Sequence, residues 1–387
     1  MERPDTLEYS VQGFSSYVTN CGIKDTTLDL GVVYSHVPAA GAAIFTKNQF
    51  VGEPIKIGRK HNENGIFQAL VVNSKNANVA TGEDGYKKAM AICSKVATEL
   101  SIDVTSVLPS STGVIGHPLP FEKVVSALDS LSENLNEQAD FADFAKSIMT
   151  TDTFPKFVSA KIGDAVLVGV AKGSGMIEPN MATMLSYFFT DAKISSEKLD
   201  GFLRKAANKT FNRLSVDTDT STSDTLAIFA NGLAGEVDEE LFYTTLEELC
   251  TKLTRMLARD GEGATKLFLV DVNGAANDSE AEKIGRSIVN SPLVKTMIYK
   301  GDPNWGRVWM AVGKTTDVRL DESKFSLAWG ADGAITKKDS SEVLTRYLQG
   351  NEEIILKVNI GVGEGSSRFY GCDLTEGYVK INAYYTT

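Results

Sequence analysis

The sequence predicts an α/β protein, because segments typical of buried strands alternate with segments typical of amphipathic helices. Residues 66–73 form a short apolar run typical of a strand, and a helix is expected to begin near Glu83. Apolar residues recur three and four positions apart from residue 89 to residue 100, which predicts one buried helix face. Residues 104–108 are the next predicted strand, and Pro109 is expected to end it. Strand, helix and strand in succession indicate an α/β fold.

The same alternation continues along the chain. Helices are predicted at residues 121–128, 141–148, 199–206, 241–256, from 278 onward and at 343–348, and strands at 165–170, 184–190, 226–229, 267–272, 325–329 and 354–360. Ser195 or Ser196 and Asp238 are the expected N-caps, because their side chains can accept hydrogen bonds from free helix amides. Residues 361–367, rich in glycine and serine, are expected to form a flexible loop. We predict a catalytic domain over residues 1–275 and a C-terminal α/β lobe over 276–387.

Composition limits the classes of partner. The chain has 387 residues, a formal net charge of −11 and a sequence pI near 5.0, whereas binding to nucleic acid or an anionic membrane needs a basic surface. Its four cysteines are far apart and form no C-x-x-C pair, so neither a zinc site nor a disulfide framework is indicated. There is no apolar leader segment and no apolar run of roughly 20 residues. We therefore predict a cytoplasmic protein without metal or cofactor that acts on a small polar substrate.

The most informative stretch is residues 172–185, which lies between two predicted strands. Gly173, Gly175 and Pro179 predict a turn, and Thr183 would then stand where the second strand opens. One interpretation is an ordinary β-branched residue that begins a strand. The other is a threonine nucleophile held at the mouth of a strand, with Ala182 at a self-cleavage site.

The nucleophile interpretation has a definite chemistry. The hydroxyl of Thr183 would attack the carbonyl of Ala182, and hydrolysis of the resulting ester would free an α-amine on Thr183. A threonine hydroxyl is a weak nucleophile, but an α-amine titrates at roughly 7.7–8.0 and can serve as its base. Histidine is not needed, and the three histidines are scattered without an obvious acidic partner.

Several motifs in order along the chain resemble one family, the self-cleaving ornithine acetyltransferases of arginine biosynthesis, also called glutamate N-acetyltransferases. They are residues 172–185 (Lys-Gly-Ser-Gly-Met-Ile-Glu-Pro-Asn-Met-Ala-Thr-Met-Leu), 76–82, 111–116, 149–153, 260–266, 290–296, 302–307 and 382–387. The resemblance implies a layered sandwich of sheets and helices. It also implies cleavage into chains 1–182 and 183–387, assembled as an α2β2 heterotetramer.

Residues 110–113 contain the predicted oxyanion hole. From the residues alone, Ser-Ser-Thr-Gly after a strand is either a polar turn or a pair of donors for the oxyanion of a tetrahedral intermediate. The resemblance assigns the oxyanion hole to Thr112 and Gly113.

The resemblance also implies the substrate contacts. Lys172 is expected to bind a substrate carboxylate close to the nucleophile, and Glu262 is expected to hold the cationic amine. The other implied contacts are Thr150, Thr151, Asn382 and Thr387, and the motif does not tell which of the two adjacent threonines points inward.

The implied reaction is ping-pong acetyl transfer from N2-acetyl-L-ornithine to L-glutamate through an acetyl-Thr183 intermediate. Acetyl-CoA is a second donor for some relatives, but the sequence contains no nucleotide-binding motif to support it. A hydrolase that uses water as acceptor, like the related self-cleaving aminopeptidases, is the alternative enzyme. An unprocessed binding protein of the same fold is the alternative without catalysis.

Residues 215–224 depart from the family pattern. Their many aspartates suggest a calcium loop, but the glycine at loop position six and the glutamate at position twelve are absent, which favours a polar hydrogen-bonded loop. Many arginine-pathway members carry a glycine and an asparagine where this chain has Thr218 and Ser223. The variant resembles paralogues of specialised-metabolite clusters such as those for clavulanic acid, so the acceptor could be a different amino acid.

Overall fold

A computed structural model describes residues 6–178 and 184–384. The strands are β1 Phe14–Thr19, β2 Leu30–Phe45, β3 Ile66–Asn73, β4 Val107–Ser111, β5 Lys156–Ile162, β6 Ala165–Lys172, β7 Leu185–Lys193, β8 Thr225–Glu236, β9 Leu267–Ala275, β10 Ser326–Trp329, β11 Ile335–Thr336, β12 Glu353–Asn359 and β13 Gly365–Cys372. The α-helices are α1 Glu53–His61, α2 Gly82–Leu100, α3 Phe121–Ala127, α4 Phe141–Ser147, α5 Ser196–Lys209, α6 Glu239–Arg259, α7 Asp278–Val289, α8 Pro292–Lys300, α9 Trp305–Gly313, α10 Ser341–Gly350 and α11 Glu376–Tyr384.

The first eight strands form one sheet in the order β4-β3-β2-β8-β7-β6-β5, with β1 paired to β2. The predicted strand-helix-strand unit is confirmed, because β3 and β4 are parallel and α2 connects them. The predicted bounds of β4 were wrong: residues 104–106 form a 3-10 turn, and the strand continues through Pro109 to Ser111. Pro109 is tolerated because β4 lies at the sheet edge and pairs on one side only.

Strand β7 lies in the interior of this sheet. It is antiparallel to β6, where Lys172 pairs with Leu185, and parallel to β8, where Leu185 pairs with Thr225. Because β7 begins two residues after Thr183, its neighbouring strands pair with the first described residues that follow the predicted self-cleavage site. The residues at the ends of β6 and β8 are therefore the neighbours of the first residues of β7.

Both faces of β7 are buried, and each faces its own core. Phe188 packs in the cluster that contains residues of α5 and α6, whereas Tyr187 and Phe189 pack in the cluster that contains residues of α4. This is the period-two alternation of a strand. Burial of each such aromatic side chain contributes about 1.5–3 kcal/mol.

The other five strands form a second sheet in the order β11-β10-β12-β9-β13. Helix α6 contacts β5 and β6 of the large sheet and also β9 and β13 of the second sheet, so it lies between them. The predicted layered α/β sandwich is therefore confirmed. The predicted domain boundary at residue 275 stays a prediction; β9, which precedes it, pairs with β12 and β13 of the second sheet.

Local signals were more reliable for helix starts than for loops. The side chains of Ser195 and Asp238 cap α5 and α6, as predicted, although Leu241 in the first turn of α6 is 48% exposed and not part of the core. The predicted flexible loop at 361–367 was wrong in its second half, because β13 begins at Gly365. A Cβ there would lie 2.1 Å from the carbonyl carbon of Asn277, so this glycine allows close packing.

Candidate active site

One cavity of about 150 Å³ is lined by predicted site residues that come from separate motifs of the sequence. The predicted site residues that line it are Thr112, Gly113, Thr150, Thr151, Lys172, Glu262 and Asn382. They come from the ends of β4 and β6, the segment before β5, the turn after α6, and α11. The other predicted site residues, Ala182, Thr183 and Thr387, lie outside the described residues.

Lys172 is the buried cation of this cavity. Its Nζ donates to the hydroxyl of Thr150 at 3.0 Å and to the hydroxyl of Thr112 at 3.2 Å. Burial lowers the pKa of Lys172, and the nearby charge of Asp152 opposes that shift. Within residues 6–178 and 184–384, these two neutral hydroxyls are the only hydrogen-bond acceptors of the Lys172 Nζ, and a cation that has lost most of its water in this way is well suited to bind a carboxylate.

The two predicted oxyanion-hole residues differ in which group, side-chain hydroxyl or backbone amide, can donate a hydrogen bond. The amide of Thr112 donates to the carbonyl of Asn73 at 3.0 Å, so the donor that Thr112 can contribute is its hydroxyl, which already accepts from Lys172. The amide of Gly113 donates to no acceptor within residues 6–178 and 184–384. Gly113 also has φ of 131°, and a Cβ there would lie 2.2 Å from the carbonyl carbon of Lys75. Only glycine can place an amide in this way.

A buried ion network, which the sequence did not predict, supports these side chains. Lys156 donates to Asp152 at 2.7 Å and to Asp260 at 2.6 Å, and its side chain is fully buried. Burial acts to raise the pKa of Asp152, but the charges of Lys156 and Lys172 outweigh it and hold that pKa below its usual range. Asp152 also accepts hydrogen bonds from the amides of Thr150 and Gly173, at 3.0 and 2.6 Å.

Glu262 also lines the cavity. Its amide donates to the carbonyl of Ser174 at 2.8 Å, and its carboxylate accepts from the side chain of Asn382 at 2.7 Å. A Cβ on Gly175 would lie 2.4 Å from this carboxylate, so the glycine makes room for it. The hydroxyl of Thr151 pairs with Ser174 at 2.6 Å. The described lining of the cavity thus includes one cation, Lys172, and three acidic residues, Asp217, Asp219 and Glu262.

The two adjacent threonines therefore have different roles, although both line the cavity. The hydroxyl of Thr150 contacts Lys172, whereas that of Thr151 contacts the turn that follows β6. The sequence motif could not distinguish them, because the difference depends on which neighbour each hydroxyl meets.

Residues 215–224 form the predicted hydrogen-bonded polar loop. The carboxylate of Asp217 accepts from the amides of Met176 and Ile177, at 2.6 and 2.7 Å, and the carbonyl of Asp219 accepts from the amide of Glu178 at 2.9 Å. This loop thereby fixes the last described residues before the predicted cleavage site.

Thr218, one of the two departures from the family pattern, has φ of 71°. A β-branched residue in this region is strained by about 1–2 kcal/mol, and glycine is not. Because glycine also makes the unfolded chain more flexible, we expect Thr218→Gly to raise the thermal unfolding midpoint by only about 1–3 °C. Differential scanning fluorimetry would measure the shift. Thr220→Gly, at a position of negative φ, is the control and should lower the midpoint; a fall for both variants would show that Thr218 is not strained.

The family can be assigned from sequence comparison. The sequence pattern of the ArgJ family matches residues 15–387. The chain is 45% identical over 379 residues to the arginine biosynthesis bifunctional protein ArgJ 2 of Clostridium acetobutylicum, with 97% of both proteins covered. This chain belongs to the ArgJ family. It is also 40% identical over 393 residues to the glutamate N-acetyltransferase Oat2 of Streptomyces clavuligerus, with 99% of this chain and 100% of that protein covered.

Among solved structures, the arginine biosynthesis bifunctional protein argJ of Bacillus halodurans matches this ArgJ-family chain at 40% identity, with a TM-score of 0.49. The match covers 52% of this chain and 100% of that one. Family membership confirms the resemblance to ornithine acetyltransferases seen in the sequence motifs. In residues 6–178 and 184–384, no helix is both long enough and apolar enough to cross a membrane.

Proposed function

We propose that this ArgJ-family chain cleaves itself between Ala182 and Thr183 and then transfers an acetyl group from N2-acetyl-L-ornithine to L-glutamate through an acetyl ester of Thr183. The observation that carries the proposal is the single cavity in which seven predicted site residues meet. Polar residues from separate motifs that converge on one cavity are typical of a binding site for a small ligand, which supports the proposal.

The first half-reaction uses the donors described above. The Thr183 hydroxyl attacks the acetamide carbon, its α-amine takes the proton, and ornithine leaves after receiving a proton. The Thr112 hydroxyl and the Gly113 amide stabilise the oxyanion, and each such donor is worth about 2.7–4 kcal/mol where this has been measured. Lys172, bonded to the hydroxyl of Thr112, orients that donor and adds positive charge nearby.

We assign substrate recognition to two of the charged residues that line the cavity, Lys172 and Glu262. Lys172 binds the α-carboxylate of the donor, and Glu262 binds the δ-ammonium group of its side chain, with Asn382 orienting the Glu262 carboxylate. Thr387 is proposed as a further contact from the family resemblance alone. A zwitterion with a cation at its far end fits this arrangement better than a simple amide does.

The proposal also covers the identity of the acetyl acceptor and the assembly of the protein. Ser223, which stands where many arginine-pathway relatives have asparagine, lines the cavity, so an acceptor other than glutamate is the second candidate. The α2β2 assembly, the cytoplasmic location and the division into domains 1–275 and 276–387 rest on the sequence and the family resemblance.

The test separates acetyl transfer from hydrolysis. Release of ornithine from acetylornithine is expected to rise steeply and saturably with added glutamate, and acetylglutamate should form in equal amount. Good positioning of the acceptor can supply roughly 7–11 kcal/mol of barrier lowering, which is enough for bound glutamate to outcompete water. Mass spectrometry would follow ornithine, acetylglutamate and acetate in one assay.

D-Glutamate is the matched control, because it has the same charges in the wrong configuration and should not accelerate release. Fast ornithine release that is indifferent to glutamate, with acetate as product, would establish a hydrolase. If another amino acid accelerates the release of ornithine more than glutamate does, that amino acid is the acceptor.

A further inference from the structure

A second cavity, which we call the lysine cavity, lies next to the candidate active site. It has a volume of about 730 Å³, and three cations line it: Lys24, Lys75 and Lys146. Thr150 lines both cavities, and its hydroxyl accepts a hydrogen bond from the Lys172 Nζ at 3.0 Å. Thr150 thus stands at the boundary between the two cavities.

The lysine cavity has an excess of positive charge in a protein whose formal net charge is −11. Two acidic residues, Asp25 and Asp152, also line it. The Asp152 carboxylate already pairs with the buried Nζ of Lys156 at 2.7 Å, and Asp25 is exposed to solvent. Lysines therefore outnumber carboxylates in the described lining, which attracts a small anion.

Lys24 is the partly buried cation of this cavity. Its Nζ donates to two neutral groups, the main-chain carbonyls of Leu28 and Met149, at 2.7 and 2.8 Å. Burial lowers the pKa of Lys24 to about 8, and the charges of Lys172 and Lys75 add to this shift, whereas nearby carboxylates oppose it. An anion in the cavity would offset the repulsion among these lysines.

The main chain around the lysine cavity is held in place by Asp29, which is 0% exposed. Its carboxylate accepts hydrogen bonds from the amides of Ile23 and Lys24, both at 2.7 Å, and its carbonyl accepts from the amide of Ser74 at 2.9 Å. The next residue, Lys75, has φ of 75°, which non-glycine residues seldom adopt outside functional sites. A cavity that is shaped in advance binds its ligand at a lower cost in entropy.

The acceptor of the proposed reaction needs a site of this charge. Glutamate carries a γ-carboxylate at the end where ornithine carries a δ-ammonium group, and the described lining of the active site includes Asp217, Asp219 and Glu262. These acidic side chains attract the ammonium group of the donor but repel the γ-carboxylate of the acceptor. The two side chains are therefore expected to occupy different places.

We propose that the lysine cavity binds the side-chain carboxylate of the acyl acceptor and thereby makes the enzyme select a dicarboxylic amino acid. The inference rests on the proposed acetyl transfer and adds a subsite to it. Lys172 holds the α-carboxylate of the acceptor, and the acceptor side chain extends past Thr150 towards Lys24, Lys75 and Lys146. No bond forms or breaks in this subsite, so these three lysines act by binding alone.

The test is a competition between glutamate and glutamine, which have the same length but differ in side-chain charge. With acetylornithine as donor and equal amounts of both acceptors, the ratio of acetylglutamate to acetylglutamine gives the ratio of their kcat/KM values, whatever fraction of the protein is active. We expect the wild-type chain to prefer glutamate. Lys24→Met should lower that preference by about tenfold, because a hydrogen bond between charged groups is lost. Lys146→Met should change the ratio in the same direction.

The controls separate binding of the acceptor from a general defect. Ornithine release without an acceptor should stay within about twofold of the wild-type rate in Lys24→Met, because the donor does not use the lysine cavity. Lys88→Met, which removes a lysine outside both cavities, should leave the product ratio unchanged. If Lys24→Met does not fold, Lys146→Met at its exposed position supplies the same measurement.

Glutarate, which has two carboxylates and no amine, distinguishes the acceptor from an anion that binds separately. At saturating acetylornithine it should compete with glutamate in the wild-type chain, and less well in Lys24→Met. Inhibition by glutarate that added glutamate does not reverse would assign the lysine cavity to a separate anion and would overturn the proposal.

The remaining outcomes distinguish this inference from the proposed function. Wild-type protein that transfers no acetyl group to either acceptor would overturn the proposed function and this inference with it. Transfer to glutamate with a preference that Lys24→Met and Lys146→Met both leave unchanged would overturn only the role of the lysine cavity. A wild-type chain that does not prefer glutamate, or an equal loss of preference in Lys88→Met, would also overturn that role.

Discussion

Thr183→Ala is expected to give one uncleaved chain that transfers no acetyl group. The substitution removes the hydroxyl that would attack the Ala182 carbonyl and also the group that would carry the acetyl ester. Without cleavage the α-amine base is never formed, so the loss of activity should be at least about a thousandfold. Intact mass and N-terminal sequencing would report cleavage, and release of ornithine would report activity.

Thr183→Ser is the matched control for that result. Serine keeps the hydroxyl and the future α-amine, so this variant should still be cleaved between residues 182 and 183 and should retain part of the activity. Cleavage in Thr183→Ala would place the self-cleavage site elsewhere. Transfer by an uncleaved Thr183→Ala chain would show that another residue is the nucleophile.

Lys156→Met is expected to have the largest effect on stability. It leaves the side chains of Asp152 and Asp260, which are 0% and 2% exposed, without their shared cation. Removing one partner of a buried ion pair costs about 3–5 kcal/mol of the free energy of unfolding. Because Asp152 fixes the amides of Thr150 and Gly173, activity should fall as well. Urea unfolding in the uncleaved Thr183→Ala background would measure the loss.

The pH dependence of that loss has a definite sign. In the native chain the lowered pKa of Asp152 contributes stability above its unfolded value near 4, and this is lost as the pH falls through the folded value. In Lys156→Met one carboxyl must keep a proton in the folded state, so its pKa is raised. Stability then falls as the pH rises above about 4, and the deficit should be larger at pH 8 than at pH 5.

Two variants act as controls. Adding Asp260→Asn to Lys156→Met removes one of the two facing charges, and about half of the lost stability should return. Lys88→Met breaks an ion pair with Asp84 at the surface and should change the free energy of unfolding by about 1 kcal/mol or less. An unchanged unfolding midpoint in Lys156→Met would contradict the importance of the buried network.

The elements that the sequence predicted well have a strong local signal. β3 has the predicted bounds, residues 66–73, and α6 begins after its predicted cap, Asp238. β2, at 16 residues, was missed, because it contains Pro38 and many small residues instead of a clear alternation. Its register against β3 shifts between Tyr34 and Ala39, and its later part pairs with β8. Such a strand can be recognised only from its pairing with neighbouring strands in the assembled sheet.

The candidate site shows the same division. Thr112, Lys172 and Glu262 were found because each lies in a recognisable motif. Asp152 and Asp260 lie in the motifs 149–153 and 260–266 but were not identified, since a carboxylate next to threonines or glycines does not reveal that both will face Lys156. Helix α11 was missed for another reason. It has no buried residue and therefore no apolar period, although its Asn382 reaches the cavity.

The position of β7 and β8 has a consequence for how the protein can be made. A cut after residue 182 leaves β1–β6 on one polypeptide and gives β7 and β8 to the other, yet these two strands lie side by side between β2 and β6. Neither polypeptide can complete the large sheet alone. Folding of the intact chain is a first-order process, whereas recovery of the cut protein from denaturant needs an encounter between two polypeptides and depends on their concentration. If the chain is cut there as proposed, a sheet that closes before the cut forms by the faster first-order route, and that route is lost once the chain is cut.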